Sequence, residues 1–330
     1  MQRFLSRIVT GWVLALLAGV SQAAHGDGNV KICVAKIVDH PALTAAEAGF
    51  ENALRGVGHA AGATFERRNA NGDMATLAEI AREFARPGHC DLIHSIATPT
   101  TQAILKTVKT TPVVFSAVTD PVAAGIVPAD SSEGSRTGTH VTGISDKWPV
   151  ALQMRAYSRF VPAARIWGTI FNPDEANSLA HVAEMHKAFA DMGLTLIEQH
   201  ARNAEEVVAA AEALAGRVQA IVITADNTSV AHIDRIAKVC DAKRIPLFAG
   251  DVDSVSKGAV AAYGMDYFLI GYAAGKKAAL ILDGVPAGEV PWGRVEKFSL
   301  VINRDAAARQ GLKLSPDWLR RADRVIGEGR

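Results

Sequence analysis

The 330-residue chain is poor in cysteine, in aromatic side chains and in net charge. Cys33, Cys90 and Cys240 are an odd number with no C-x-x-C spacing, which argues against a disulfide framework and against a zinc site. Core packing accounts for each of them, and one bridge between Cys33 and Cys90 stays open in an oxidising compartment. The formal charge is +1 and Lys and Arg are not clustered. Nucleic acid and anionic membrane surfaces, which require such clusters, are therefore not expected partners. No GxSxG elbow, HExxH pair or GxxxxGK loop occurs. His181 and His186 stand five apart, which splays them around a helix where metal ligation prefers four. We expect no catalytic residue, no metal and no cofactor. Gly56, Val57, Gly58 and Gly62 follow a helical pattern and not a strand, so they read as a helix end and turn instead of a dinucleotide loop.

What is present begins with an export signal. Arg3 and Arg7 precede a mostly apolar run from Ile8 to Val20, and Ser21-Gln22-Ala23 offers small residues for cleavage near Ala23. The run is shorter than the ~20 residues needed to span a bilayer, and Gly11 and Gly19 weaken it further. Removal of residues 1–23 takes the formal charge from +1 to −1. The mature chain is expected to be periplasmic, soluble and monomeric. About 300 mature residues exceed one hydrophobic core, so two domains are expected.

Strand and helix patterns alternate throughout. Val30 to Val38 is a near-continuous apolar run, as in a parallel strand covered on both faces. Pro41 opens a helix to about Val57. Strands follow at Thr64–Arg68, Asp91–Ala97 and Val113–Val118, with Asp73 capping a helix whose Leu77, Ile80, Ala81 and Phe84 share one face. Thr98 reads as an N-cap with Pro99 at the first helical position. These βαβ units imply a parallel sheet. Residues 128–141 lack a hydrophobic period and lead to a boundary. The alternation then restarts, with helices at Val150–Phe160, Asn177–Met192, Ala204–Leu214, Ser229–Lys243 and Tyr267–Leu282. The intervening strands are Arg165–Phe171, Leu194–Gln199, Ala220–Thr224, Pro246–Ala249 and a short apolar run from Gly258 to Gly264. Phe298–Asn303 and a closing helix end an α/β chain of two similar lobes.

Each strand ends in a polar cluster that starts a helix. Such clusters gather on one edge of an open parallel sheet, where free N–H groups meet ligands. From them we select Asp39, His40, Thr98, Thr119, Asp120, Ser145, Asn177, Ser178, Asp226, Asn227 and Asp251 as candidate ligand-binding residues. Thr98, Asn177 and Ser178 suit a carboxylate, whereas Asp120, Asp226 and Asp251 suit an ammonium, with Asp226 preferred. Each could serve only as a helix cap, because these residue types satisfy orphan N–H groups in any α/β protein. At least half of the set is expected to touch solute. Trp148, Phe171 and Tyr263 lie near crossovers or strand ends and read first as hinge or core packing, and only then as stacking partners.

Several segments resemble a known family in order along the chain. They include Val38-Asp39-His40-Pro41, Asn71-Gly72-Asp73-Met74, Ile96-Ala97-Thr98-Pro99 and Val114 through Pro121. Further on come Val141 through Asp146, Glu175-Ala176-Asn177-Ser178, Thr224 through Asn227, and Tyr263 through Tyr267. Together they are similar to the solute-binding proteins of ABC transporters in the tryptophan/tyrosine-binding branch. That resemblance implies a type I periplasmic-binding-protein fold, two Rossmann-like doubly wound lobes joined by a multi-strand hinge. One lobe would take residues 29–143 and 265–290, the other 144–264 and 291–330. It also implies capture of a small solute, with an amino acid expected and an aromatic one among the options, and delivery to an ABC permease by hinge closure. The alternatives are a sensory binding protein and an enzyme on the same scaffold. The second lacks any nucleophile, base and orienting group.

Overall fold

The computed structural model describes residues 30–328, and the expected export signal lies outside them. The first lobe opens with β1 (Val30–Lys36), α1 (Pro41–Gly56), β2 (Ala63–Asn69), α2 (Met74–Phe84), β3 (Leu92–Ile96), α3 (Thr98–Thr107), β4 (Val113–Val118) and β5 (Val141–Ser145). The second contributes α4 (Val150–Phe160), β6 (Ile166–Phe171), α5 (Ala176–Asp191), β7 (Thr195–His200), α6 (Ala204–Leu214), β8 (Ala220–Ile223), α7 (Asn227–Ala231), α8 (Ile233–Lys243), β9 (Leu247–Ala249) and β10 (Ala261–Met265). The chain then returns to the first lobe for α9 (Tyr267–Leu282) and β11 (Gly293–Arg294). It crosses back for β12 (Phe298–Asn303), α10 (Arg304–Arg309), α11 (Pro316–Arg321) and β13 (Arg324–Ile326).

Strand order is β11-β5-β4-β3-β1-β2 in one sheet and β13-β12-β10-β9-β8-β6-β7 in the other. The first five strands of each lobe thus repeat one doubly wound order, with the reversal between β1 and β3 in one and between β6 and β8 in the other. Ligands of open α/β sheets bind outside the strand C-termini at that reversal. β3 and β4 are buried along their whole length, so neither shows a polar outer face, and their few polar side chains are hydrogen-bonded inside, His94 to Ser116 at 2.8 Å and Ser95 to Thr101 at 2.9 Å.

Several expectations change. β12 runs antiparallel to β10, because the chain enters it from the first lobe and so meets the sheet from the opposite end. The single helix expected over Ser229–Lys243 starts earlier and breaks at His232 into α7 and α8. The closing helix is two short ones, α10 and α11. β5 extends to Ser145 and pairs with β11 at 293–294, so the first sheet reaches past both expected boundaries, 144 and 291. Thr98 is the first helical residue of α3, and the cap position falls to Ala97. Cys33 and Cys90 form a disulfide with Cα atoms 5.8 Å apart, tying β1 to the turn before β3, while Cys240 is free and buried.

The first lobe is held by a close crossing of α1 and α9. A Cβ placed on Gly271 would lie 1.8 Å from the Ala46 carbonyl oxygen, and one on Gly49 would lie 2.0 Å from that of Phe268. The two backbones touch where no side chain can stand between them. In a free helix Gly→Ala stabilises by about 1 kcal/mol. Here overpacking reverses the sign, and Gly271→Ala should destabilise by about 3 kcal/mol. Urea unfolding followed by circular dichroism checks this, and an unchanged or raised midpoint would contradict the crossing.

Candidate functional site

The two strand-end rims face each other across a narrow pocket whose free volume is about 20 Å³, room for about one water molecule. The first lobe supplies His40, Ala42 and Leu43 at the start of α1, Thr98 at the start of α3, Ala117 and Thr119 at the end of β4, and Tyr267 at the start of α9. From the second come Asn177 on α5, Ala225 and Asp226 after β8, Asn227 and Val230 on α7, and Asp251 after β9. Asp146 lies on the crossover between them.

Seven of the candidate residues therefore meet: His40, Thr98, Thr119, Asn177, Asp226, Asn227 and Asp251. Four do not, because their polar atoms are engaged elsewhere. Asp39 pairs with Lys36 at 2.6 Å and accepts from Asn69 Nδ2 at 2.7 Å on the wider, outer part of the cleft. Asp120 pairs with Lys147 at 2.7 Å and accepts the Ala123 N–H. Ser145 Oγ donates to the Thr119 carbonyl at 3.2 Å, and Ser178 Oγ donates to Asp226 Oδ2 at 2.6 Å. None of Trp148, Phe171 and Tyr263 lines the pocket. Trp148 stacks obliquely on His181 with ring centres 4.8 Å apart, Phe171 edges His200, and Tyr263 lies beside Phe298.

The carboxylates differ in what they have left to offer. Asp226 is saturated: Asn172 N–H and Ser178 Oγ donate to Oδ2, and Ser229 N–H donates to Oδ1, so it caps α7 and braces the loop after β6. Asp251 accepts from both the amide and the hydroxyl of Ser254. These two act as the caps that the sequence left open. Asp146 is different. Its Oδ2 accepts the Tyr267 hydroxyl at 2.6 Å, but its Oδ1 is buried with no partner. Asn177 repeats the pattern, since its Nδ2 donates to the Ala225 carbonyl at 2.6 Å while its Oδ1 is buried without a donor. Burial pushes the carboxyls of Asp146, Asp226 and Asp251 above the usual carboxylate range, against the pull of their donors. No lysine or arginine is among the residues lining the pocket.

Sequence reasoning missed Asp146 and Tyr267 as site residues. Asp146 directly follows β5, so the same strand-end rule applied to it. Tyr267 lies one residue past the Asp266 cap of α9, on the segment expected to return to the first lobe, but no local pattern shows that its hydroxyl reaches Asp146.

The pocket lining also holds donors. Thr98 Oγ1 accepts the Thr119 N–H at 3.3 Å, which leaves the hydroxyl proton of Thr98 to be given away. Thr98 also begins α3, whose first-turn amides lack intrahelical acceptors and whose dipole favours an anion. A contact between side chains spans the lobes. His40 Nδ1 accepts the Leu43 N–H and caps α1, so Nε2 carries the proton and donates to Asn227 Oδ1 at 3.4 Å. Burial lowers the His40 pKa to about 4, which keeps the imidazole neutral. Asn227 in turn donates to Glu175, a buried carboxylate that also receives the Thr228 amide and hydroxyl and Asn177 Nδ2.

Burial first and Asp226 second push the Glu175 pKa up to about 7 from 4.5. A raised folded-state pKa of an acid favours the folded form where the group is protonated. Stability is therefore greatest below about pH 4.5 for this group, falls as pH rises from about 4.5 to 7, and levels off above that. Glu175→Gln should flatten the decline between these values in denaturant unfolding measured from pH 4 to 8. A slope equal to the parent's would contradict the assignment.

A family model of ABC transporter substrate binding proteins matches residues 31–326. The tyrosine-binding protein of Clostridioides difficile (strain R20291) is 31% identical, over 96% of this chain and 94% of that protein. Among solved structures, a conserved domain protein from Vibrio cholerae aligns with a TM-score of 0.85 at 32% identity, covering 90% of this chain and all of the other. An ABC domain from Streptococcus pneumonia in complex with L-Trp aligns with a TM-score of 0.84 at 26% identity, over 91% of this chain and 100% of that one. A solute-binding protein from Bacillus halodurans with bound myo-inositol shares the fold alone, at 13% identity. With two type I lobes meeting at one pocket, and with these relatives, the chain belongs to the ABC transporter substrate-binding proteins.

Proposed function

We propose that the protein is exported, captures a free α-amino acid between its lobes and delivers it to an ABC permease. The observation that carries the solute class is the pairing of two buried, donorless oxygens, Asp146 Oδ1 and Asn177 Oδ1, with a lining that contains three aspartates and no basic side chain. A buried acceptor left without a donor costs about 1 to 3 kcal/mol, more when charged. The solute must bring donors to these oxygens, and an ammonium supplies them together with the positive charge that a lining of three aspartates favours.

The donors of the lining ask for the reverse. The Thr98 hydroxyl and the first turn of α3 offer donors that a carboxylate accepts. A zwitterion satisfies both ends at once, whereas a simple amine or a simple acid satisfies one. Ala42, Leu43, Ala117, Ala225, Val230 and the Tyr267 ring leave an uncharged surface for the side chain. Tyrosine and tryptophan head the panel of candidates because one relative is a tyrosine-binding protein and another holds L-Trp.

Closure follows from the division of labour. Asp146 on the crossover, Asn177 in the second lobe and Thr98 in the first are brought together only when the lobes meet, so solute shifts the population towards the closed form. The His40–Asn227 contact then spans the closed cleft. The Cys33–Cys90 bridge supports export, since such bonds persist in oxidising compartments.

Isothermal titration against free L-amino acids, starting with tyrosine and tryptophan, tests the solute class. At least one should bind, and its N-acetyl derivative, which has no ammonium, should not. Asp146→Asn should weaken binding about 100-fold, in line with the 2 to 5 kcal/mol typical of removing one partner of a buried charge pair. Equal affinity for the acetylated compound, or an Asp146→Asn variant that binds like the parent, would contradict the proposal.

A further inference from the structure

Two alanines at the edge of the pocket adopt a backbone conformation that alanine avoids. Ala97 has φ +80° and Ala117 has φ +56°. Ala97 directly follows β3 and Ala117 lies near the end of the adjacent β4, and the Ala97 N–H donates to the carbonyl of Ser116, the residue before Ala117, at 3.0 Å. At Ala117 the pairing of β4 with β5 shifts register between Ser116 and Val118. Such bulges re-aim the chain beside functional sites. Glycine takes a left-handed φ with no steric penalty, while for other residues the Cβ crowds the following carbonyl.

The two positions differ in one respect. Ala117 lines the pocket, whereas Ala97 is buried behind it and does not. At Ala117 the strained residue therefore places one methyl group against the solute space. Glycine would relieve the strain and remove that methyl. We propose that the Ala117 methyl is a selectivity element, a steric stop that sets how large a solute side chain the closed pocket admits. This rests on the amino acid reading and adds to it the atom that limits size.

Ala117→Gly and Ala97→Gly are compared with the parent by calorimetry across L-alanine, L-valine, L-leucine, L-phenylalanine, L-tyrosine and L-tryptophan, with thermal melts confirming that each variant folds. One methylene in an apolar pocket discriminates by about 10- to 200-fold. Ala117→Gly should raise the affinity for amino acids larger than the parent's best ligand by at least 10-fold relative to that ligand. If the parent's best ligand is tryptophan, the series is extended with 5-methyltryptophan. Ala97→Gly, which relieves the same kind of strain away from the solute, should leave the ranking unchanged. A parental ranking in Ala117→Gly, or an equal shift in both variants, would overturn the inference while leaving the solute class intact. Failure of the parent to bind any amino acid would overturn both.

Discussion

An oxygen without a donor is the constraint around which this cleft is built. Asp146 Oδ1 and Asn177 Oδ1 are buried and unmatched, in a pocket whose other carboxylates already have their partners. Bulk water satisfies such atoms when the lobes separate, and in the closed form the cost of desolvation falls on whatever occupies the space. On the proposed reading, the binding energy of a matching ammonium is thereby tied to closure. A solute lacking it would leave a buried charge uncompensated, so specificity comes from the penalty as much as from the contact.

The fold makes that arrangement available from ordinary parts. Both lobes reverse their strand order after their first strand, so β1 and β3 in one and β6 and β8 in the other deliver their helix starts to one line. His40 and Thr98 come from the first reversal, Asn177 and Asp226 from the second. Asp226 and Glu175 do not offer themselves to solute. They fix α7 and the loop after β6, and so hold Asn177 and Asn227 in position. On the first lobe, the glycine contacts of α1 with α9 place Tyr267 where its hydroxyl reaches Asp146.

Much of this was legible in the sequence, and what was not has a physical cause. The strands Val30–Lys36 and Val113–Val118 were readable because both faces are covered over most of their length, so that apolar residues follow one another, interrupted only by Lys31, Lys36 and Ser116. The strand-end rule found His40, Thr98, Asn177 and Asp251 for the same reason that it overreached at Asp39 and Asp120, since it locates a rim and not the direction of a side chain. The sequence reading prefers Asp226 to Asp120 and Asp251 as the ammonium partner and does not weigh Asp146. Asp226 and Asp146 are both aspartates at strand ends, and only the list of donors around each shows that one accepts three hydrogen bonds and the other has an oxygen to spare. The antiparallel β12, set by where the chain re-enters a lobe, and the disulfide, set by the pairing of β1 with β3, are long-range contacts that no local pattern records.

The most direct test of the central claim is a crystal structure of the protein loaded with the amino acid it binds best. The account predicts the amino nitrogen about 3 Å from both Asp146 Oδ1 and Asn177 Oδ1, with the carboxylate at the start of α3. A solute whose carboxylate or neutral end faces those two oxygens, or one bound with both still unmatched, would contradict it.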